Sequence, residues 1–229
     1  MSLHASIVIP TLNAGMSLGR TLESLKREPI DGTVEIIVVD GGSGDATTAI
    51  AEEHGARVLQ SERGRGQQLA RGAAEARGEW LLFLHADTVP AQGWNEALEH
   101  FAAAPENADR AAVFRFALDD SSPAARRLER IVAWRTAVMA LPYGDQGLFL
   151  SRDFYRALGG YRPLPLFEDV DLIRRIGRRR LAALNVPAVT AAARYRGPGY
   201  PLRSARNLCC LALYYLGVPP GSIARLYGG

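Results

Sequence analysis

Apolar runs alternate with amphipathic segments along the first half of the chain. Apolar runs predict buried strands at residues 6–10, 35–40 and 80–84, and a weaker pattern predicts a strand at 57–60. Apolar residues at helical spacing predict a helix after each strand, around 18–25, from 45 to about 55, from about 66 to 78, and around 94–101. Ser17 is placed to cap the first of these helices. Strands joined by helices of this length predict an α/β fold with an open, mostly parallel sheet.

The rhythm changes beyond residue 110. We expect a strand at 112–118, a helix from Pro123 to about Leu141, loop and strand over 143–149, helices at 153–158, 167–176 and near 204–216, and then a short tail. The helix that begins at Pro123 is expected to turn four residues toward the core: Leu128, Ile131, Val132 and Arg135.

Composition places the chain among folded globular proteins. It has 229 residues, 48% hydrophobic and 22% charged, which predicts one domain over 1–229 and excludes disordered, collagen-like and coiled-coil chains. The longest apolar stretch, Leu208–Leu216, is too short to span a membrane, and we read no signal peptide. The adjacent Cys209 and Cys210 fit neither a disulfide framework nor a zinc site. We therefore expect a cytoplasmic protein.

The net charge of +3 hides an asymmetry between the two halves. Residues 1–110 carry 9 basic and 16 acidic side chains, whereas residues 111–229 carry 18 basic and 8 acidic ones. Ten arginines and no acid follow Asp171. This excess indicates an anionic partner, such as phosphate, nucleic acid or an anionic membrane surface. A solvated basic face explains it equally well.

Three predicted strands run into polar residues. Thr11 and Asn13 follow the first strand, Asp40 ends the second, and Asp87 follows the fourth. Ligands of open α/β sheets bind beyond the carboxyl ends of the strands. We therefore expect these side chains to lie along one edge of the sheet.

The turn Asp40-Gly41-Gly42-Ser43-Gly44-Asp45 resembles a phosphate-binding loop but matches neither the dinucleotide fingerprint nor the P-loop. A carboxylate at the strand end would repel phosphate, so Asp40 suits hydrogen bonding to a ribose hydroxyl or a base N–H. Asp45 is explained equally well as a helix N-cap and as a ligand contact. For Asp40 we favour a role in function over one in structure.

Other carboxylates suggest a metal ligand and a general base. Asp87 suits Mg²⁺ or Mn²⁺, which prefer oxygen ligands and substrate phosphates, although a turn aspartate is the alternative. Glu168, Asp169 and Asp171 cluster at a predicted helix start, where they either favour the helix dipole or supply a general base. The segment Tyr143–Gly147 lines the same cleft or forms a tight turn.

Taken together, four segments resemble glycosyltransferase family 2: Ile7–Asn13, Val38–Asp45, Leu82–Asp87 and Phe167–Leu172. The resemblance covers about residues 6–180 and implies a GT-A fold. It implies a nucleotide-sugar-binding half over 1–110 and an acceptor-binding, catalytic half over 111–200, followed here by a basic and apolar helix and tail over 201–229. More narrowly, residues 83–88, 144–147 and 216–220 are similar to a bacterial subgroup linked to arsenosugar biosynthesis.

The resemblance also implies a site for a nucleotide sugar, a uridine-diphosphate sugar in particular, with Mn²⁺ or Mg²⁺. Arg65 would meet the diphosphate. Asp87 matches the second aspartate of the family's D-x-D metal motif, and His85 stands in place of the first, which leaves fewer acidic ligands. The base and ribose would contact the residues at the ends of the first two strands: Pro10, Thr11, Asn13, Asp40, Gly41, Gly42, Ser43 and Asp45.

On the acceptor side, Asp169 matches the family's catalytic base, with Glu168 beside it. It would take the proton from an acceptor hydroxyl as that oxygen attacks the anomeric carbon with inversion. Tyr143, Asp145 and Gln146 would contact the acceptor, which is a small molecule or is lipid-linked.

Two other classes stay open. A sugar nucleotidyltransferase also handles phosphate on an α/β fold, but it would carry a glycine- and lysine-rich N-terminal loop, which this sequence lacks. A non-catalytic module that binds sugar nucleotides or docks to a membrane is favoured if Asp169 lies far from the cleft. We expect no nucleic-acid partner. We expect peripheral contact of the C-terminal segment with an anionic membrane at its inner face, with Leu208 and Leu211 packed on the α/β body.

Overall fold

The structure is a computed structural model that describes residues 2–192 and 199–228, except for the side chains of Pro201 and Tyr227. Arg194 and Arg196, two of the ten arginines that follow Asp171, lie outside the described residues. The eight strands are β1 (Leu3–Thr11), β2 (Gly32–Asp40), β3 (Arg57–Gln60), β4 (Trp80–Phe83), β5 (Thr88–Pro90), β6 (Ala111–Leu118), β7 (Leu148–Ser151) and β8 (Leu181–Thr190).

The strands form one sheet in the order β3-β2-β1-β4-β7-β6-β8-β5. β1 pairs in parallel with β2 and β4, and β2 pairs in parallel with β3. Their carboxyl ends therefore meet at one edge, as the sequence predicts. β7 lies antiparallel between β4 and β6, β6 runs parallel to β8, and β5 closes the far edge antiparallel to β8. The α/β class with a mostly parallel sheet is confirmed.

Nine helices accompany the sheet in the described part of the chain: α1 (Gly15–Arg27), α2 (Thr47–Glu53), α3 (Arg65–Glu75), α4 (Trp94–Ala103), α5 (Pro123–Met139), α6 (Arg152–Ala157), α7 (Glu168–Ile176), α8 (Tyr200–Tyr215) and α9 (Pro220–Gly228). Every predicted helix is present, with ends shifted by a few residues.

The core lies on both faces of the sheet. Successive strand residues point to opposite faces, so Ile7 of β1 packs in the cluster that holds Leu22 and Leu98, whereas Val8 packs in the cluster that holds Leu69 and Leu172. α3 lies directly on β1, since a Cβ added at Gly72 would come within 2.3 Å of Cγ1 of Val8.

Three elements were not predicted from the sequence. β5 has only three residues, too few to show a strand pattern, and it depends on its pairing with β8. β8 carries Asn185 and Pro187 and has few fully buried side chains, so it shows no strand pattern and depends on its pairing with β6. α9 was expected to be a tail, although Pro220 at its first position is a common helix start.

Three positional expectations are wrong. Ser17 does not cap α1; the helix begins at Gly15, and the Ser17 hydroxyl donates to the Ala14 carbonyl at 3.3 Å. Ile131 is 54% exposed on α5, because the core side of that helix follows Ala125, Leu128 and Val132. Leu208 is 66% exposed, whereas Leu211 packs inside as expected.

No helix in residues 2–192 and 199–228 is long and apolar enough to cross a membrane.

Candidate active site

The turn after β2 is folded by the Asp40 carboxylate. Asp40 is 1% exposed and accepts the Thr11 hydroxyl at 3.1 Å, the amides of Gly42 and Ser43 at 3.0 and 2.8 Å, and the Ser43 hydroxyl. Burial raises the pKa of Asp40, but these donors outweigh it and hold the pKa below its ordinary value. The structure thus gives Asp40 an architectural role that its sequence context does not reveal.

Asn13 and Asp45 fasten the same turn to the start of α1. The side-chain Oδ1 of Asn13 accepts the Gly44 amide at 2.9 Å, and the backbone amide of Asn13 donates to the Ser43 hydroxyl at 2.8 Å. Asp45 accepts the Thr47 amide and hydroxyl, and the Gly15 amide at 3.0 Å. The hydrogen bond from the Thr47 hydroxyl is the main cause that lowers the pKa of Asp45. Asp45 therefore joins the starts of α1 and α2.

Gln68, which the sequence pattern did not single out, completes this edge. It lies on the buried face of α3, and its Nε2 donates to the carbonyls of Thr11 and Val39 at 2.7 and 2.8 Å. A buried polar residue inside a helical apolar stripe was the available signal. Gln68 holds the ends of β1 and β2 together.

The end of β4 opens into the first of two adjoining cavities, which we call the donor cavity. Its volume is about 150 Å³, and His85 and Asp87 both line it. The other lining residues come from the end of β1, the start of α1 and the start of α3: Pro10, Leu12, Asn13, Ala14, Ser17, Arg65 and Ala86. The remaining residues expected to contact the donor do not line this cavity: Thr11, Asp40, Gly41, Gly42, Ser43 and Asp45.

The second cavity, which we call the acceptor cavity, has a volume of about 140 Å³ and shares His85 and Arg65 with the first. Asp169, Tyr143 and Asp145 line it, as the sequence predicts for the acceptor side. α8 and the end of β8 add walls that the sequence did not predict: Thr190, Ala191, Arg203, Asn207 and Cys210. β8 carries no readable strand pattern, which explains the omission of Thr190.

Asp169 is held in a defined orientation. Its Oδ2 accepts the Gly144 amide at 2.8 Å, and Oδ1 accepts the amide of Val170 at 2.7 Å. A Cβ at Gly144 would lie 2.7 Å from Nε2 of His85 and 3.4 Å from Oδ2 of Asp169. Residue 144 therefore has to be glycine for its backbone to fit between these two side chains.

Arg65 and Glu168 form an ion pair beneath Asp169. Nε of Arg65 donates to Oε1 of Glu168, which is 1% exposed, and Nη2 lies 4.0 Å from Oδ2 of Asp169. Burial disfavours the guanidinium charge, but Glu168 and Asp169 more than offset it and raise the pKa of Arg65. Burial raises the pKa of Glu168, with Arg65 opposing. Glu168 thus fixes Arg65 where the two cavities meet.

Asp145 is the least satisfied carboxylate of the site. Its Oδ1 is shielded from solvent and has no hydrogen-bond partner among the described residues. Burial raises the pKa of Asp145 to about 6, against the opposing charge of Arg135 and with help from Asp169. An acid with a raised pKa at the wall of a cleft is typical of functional sites.

Gln146 does not reach the acceptor cavity. It is 2% exposed, its Nε2 donates to the Phe114 carbonyl at 3.0 Å, and its Oε1 accepts the Thr136 hydroxyl at 3.1 Å. Its amide supports the short helical turn Gly144–Gln146 from beneath. The expected acceptor contact therefore falls to Tyr143 and Asp145 alone.

A metal would need ligands from outside the protein. No three His, Cys, Asp or Glu side chains cluster as a metal site in residues 2–192 and 199–228. His85 and Asp87 do line one cavity. An imidazole and a carboxylate fit Mn²⁺ when phosphate oxygens complete the coordination, since such ions bind through one or two carboxylates plus substrate phosphates.

Comparison with known proteins points to one family. Residues 6–159 match the model of glycosyl transferase family 2. A PGL/p-HBAD biosynthesis glycosyltransferase of Mycobacterium tuberculosis is 40% identical over 89 residues, which cover 36% of this chain and 34% of the relative. A glucosyl-3-phosphoglycerate synthase of Mycolicibacterium paratuberculosis is 34% identical over 94 residues, 37% of this chain and 28% of the relative. The chain thus matches about a third of the length of these curated relatives.

Solved structures share the fold. The glucosyl-3-phosphoglycerate synthase of Mycobacterium tuberculosis in complex with Mn²⁺ and uridine-diphosphate-glucose has a TM-score of 0.64 at 22% identity, covering 95% of this chain and 80% of that one. A mannosyltransferase of Pyrobaculum calidifontis in complex with GDP-Man and Mn²⁺ has a TM-score of 0.66 at 20% identity, covering 91% and 62%. Because the family model covers more than half of the sequence and these folds agree with it, the chain belongs to glycosyl transferase family 2.

Proposed function

We propose that this protein is an inverting glycosyltransferase that moves a sugar from a uridine-diphosphate sugar to an acceptor hydroxyl. The observation that carries the proposal is the pair of adjoining cavities that share Arg65 and His85. One cavity carries Asp87 and the other carries Asp169. A cation-binding wall on one side and a carboxylate base on the other suit donor and acceptor respectively.

In the proposed reaction Asp169 accepts the proton of the acceptor hydroxyl. That oxygen forms a bond to the anomeric carbon while the bond from this carbon to the diphosphate oxygen breaks, and the electron pair leaves with the diphosphate. The transition state has oxocarbenium character. The Gly144 amide fixes the Asp169 carboxylate, so that one oxygen faces a constant direction.

Arg65 is proposed to meet the departing diphosphate. A guanidinium has five N–H donors, and Glu168 takes the one on Nε, which leaves donors on the terminal nitrogens. Asp145 is proposed to accept a hydrogen bond from the acceptor through its unpartnered Oδ1. His85 and Asp87 would hold Mn²⁺ or Mg²⁺, and such an ion, when bound, neutralises charge on the leaving group.

The test separates binding from chemistry. Asp169→Asn removes the base, so transfer should fall roughly 100- to 10,000-fold in a single-turnover assay, while calorimetric binding of uridine-diphosphate-glucose with Mn²⁺ persists. Asp87→Ala should instead weaken the Mn²⁺-dependent binding of that donor. Asp153→Ala is the matched control, since this carboxylate is 95% exposed. Near-full transfer by Asp169→Asn would reassign the base to Glu168 or Asp145.

We extend the proposal to the subgroup linked to arsenosugar biosynthesis. Support comes from two of its three segments, which touch at Gly144 and His85. The test is transfer to hydroxyl acceptors that bear a methylated arsenic centre, compared with arsenic-free analogues. Equal rates would contradict the subgroup and leave the family membership intact.

A further inference from the structure

The outward face of α8 is apolar along the whole helix. Six of the seven exposed residues among its described side chains are apolar or carry an aromatic ring, and they recur every three or four positions, so they form one stripe. We call this stripe the apolar face of α8: Leu202, Ala205, Leu208, Cys209, Ala212 and Tyr215. Leu216 follows directly and is 80% exposed. Exposed apolar patches of this extent mark interaction sites.

The inward side of α8 is already used by the protein. Cys210 and Leu211 pack in a cluster with Phe167, Val170 and Ile223. The ring centroids of Tyr214 and Phe167 lie 4.9 Å apart, with the two rings tilted by 36°. The core therefore leaves the apolar face uncovered, and a substitution on that face is not expected to unfold the helix.

Basic residues border the apolar face. Arg206 is the remaining exposed residue of α8, Arg225 is exposed on α9, and the Arg174 guanidinium lies 5.1 Å from the ring of Tyr215. No acidic residue follows Asp171, so α8 and α9 carry no negative charge. An apolar stripe bordered by arginines complements an anionic lipid surface, which attracts each basic residue near it.

A second copy of this chain fits the face less well. In a two-fold dimer the same patch meets itself. Arg174, Arg206 and Arg225 of both copies would then lie at one interface, with no acidic residue on α8 or α9 to pair with them. Like charges placed opposite each other oppose such an assembly.

We propose that the apolar face of α8 docks the protein on an anionic lipid bilayer. The opposite side of α8 supplies Arg203, Asn207 and Cys210 to the wall of the acceptor cavity. Docking therefore holds that cavity about 10 Å from the bilayer, the diameter of one helix, and within reach of a hydroxyl-bearing lipid headgroup as acceptor. This consequence for the acceptor rests on the proposed function, whereas the docking does not.

Vesicle co-sedimentation tests the docking without any nucleotide sugar, so its failure leaves the donor prediction intact. The full chain should sediment with vesicles of equal parts phosphatidylglycerol and phosphatidylcholine at low salt, and much less with phosphatidylcholine alone. Binding should weaken as salt rises, because exposed charges are screened over about 10 Å at 0.1 M. Binding at low salt that ignores lipid charge would overturn the proposal.

A neutral substitution isolates the apolar contribution. Leu208→Gln combined with Leu216→Gln should lower vesicle binding about tenfold or more, since each leucine loses its burial in the bilayer. Met16→Gln on α1 is the matched control, because Met16 is fully exposed on the other half of the protein, and it should bind as the unmodified chain does. Equal binding by all three proteins would contradict the proposal.

Two further readouts separate lipid docking from unfolding and from dimerisation. A polarity-sensitive dye on Cys209, the exposed one of the two cysteines, should shift to the blue on vesicles. Thermal melts should show that the double variant stays folded. If sedimentation velocity instead reveals a dimer that the double variant dissociates, with no vesicle binding by either protein, the face is a protein interface and the proposal is wrong.

Discussion

The helices α1 and α8 both bury one apolar stripe, but they turn opposite kinds of surface outward. The exposed residues of α1 are charged apart from one: Met16, Arg20, Glu23, Lys26 and Arg27. Those of α8 are apolar apart from Arg206. The outward face of α1 is therefore well solvated by water, whereas the outward face of α8 exposes apolar surface to water. The surface of α1 is therefore complete as folded, whereas the apolar face of α8 is the surface for which we propose a partner.

The carboxylates of the two halves repeat this contrast. Asp40 accepts hydrogen bonds from Thr11, Gly42 and Ser43, and these hold its charge. Asp145 is half-buried, and its Oδ1 has no partner among the described residues; its pKa is about 6. A satisfied carboxylate stabilises a fold, and an unsatisfied one costs stability until a ligand arrives. Four substitutions test this difference between the two halves.

The largest effect is expected from Gly144→Ala, in the C-terminal half, at the point where the two cavities meet. The added methyl would collide with His85 and crowd Asp169. Displacement of reacting groups by about 1 Å costs on the order of 100-fold in rate. Single-turnover transfer should fall by that factor while the melting temperature changes little. Gly221→Ala is the control, since a Cβ there meets open space, and equal rates for both variants would contradict the assignment.

Asp40→Ala tests the satisfied carboxylate of the N-terminal half. It leaves the part-buried amides of Gly42 and Ser43 and the buried Thr11 hydroxyl without this acceptor, at a cost of roughly 1–3 kcal/mol of unfolding free energy. Urea unfolding measures the loss. Asp153→Ala, on an exposed carboxylate, should change it by less than about 0.5 kcal/mol. A loss as small as that of the control would mean that Asp40 is not architectural.

Asp145→Asn sharpens the contrast through pH. The folded pKa of Asp145 is about 6 against an ordinary 3.8, so the folded state holds the proton longer than the unfolded one does. This group therefore costs stability as pH rises from about 4 to 6, by about 3 kcal/mol in total. The variant lacks that dependence. The unfolding free energy of the variant minus that of the unmodified protein should grow across this window and stay level above it; a flat difference would refute the buried charge.

The smallest effect is expected from Asp171→Asn, the satisfied carboxylate of the C-terminal half. The sequence predicts only a helix-dipole role, but Asp171 also pairs with Arg175 at 2.6 Å and with Arg162 at 3.1 Å. Arg162 is largely exposed and adds little. We expect a loss of about 1 kcal/mol in urea unfolding and unchanged transfer. A change in transfer would move Asp171 into the site.

The parallel half of the fold was readable from the sequence because its strands are buried on both faces. Such strands show as unbroken apolar runs, as at Ile36–Val39. β8 was not readable, since Asn185 and Pro187 interrupt it and only its neighbour β6 makes it a strand. Local pattern reports burial, and it does not report pairing with a distant strand.

The candidate site divides in the same way. The sequence singled out Asp87 after a strand and Asp169 at a helix start, and these side chains line the donor cavity and the acceptor cavity respectively. Their chemical roles stay predictions. The sequence pattern alone did not show that the side chains of Asp40 and Gln146 form hydrogen bonds within the protein, because a side chain's partners are set by tertiary contacts. Arg203 was missed because α8 reads as apolar while its inward side lines a cavity.

The Arg65–Glu168 ion pair joins residues 103 positions apart, and β7 has to insert beside β4 before β6 can join the sheet. Contacts of such sequence separation carry a loop-closure cost and form late in folding. As the chain leaves the ribosome, the first half can collapse while its arginine still lacks the carboxylate that will hold it. The junction of the two cavities, which depends on this ion pair, therefore forms late in folding.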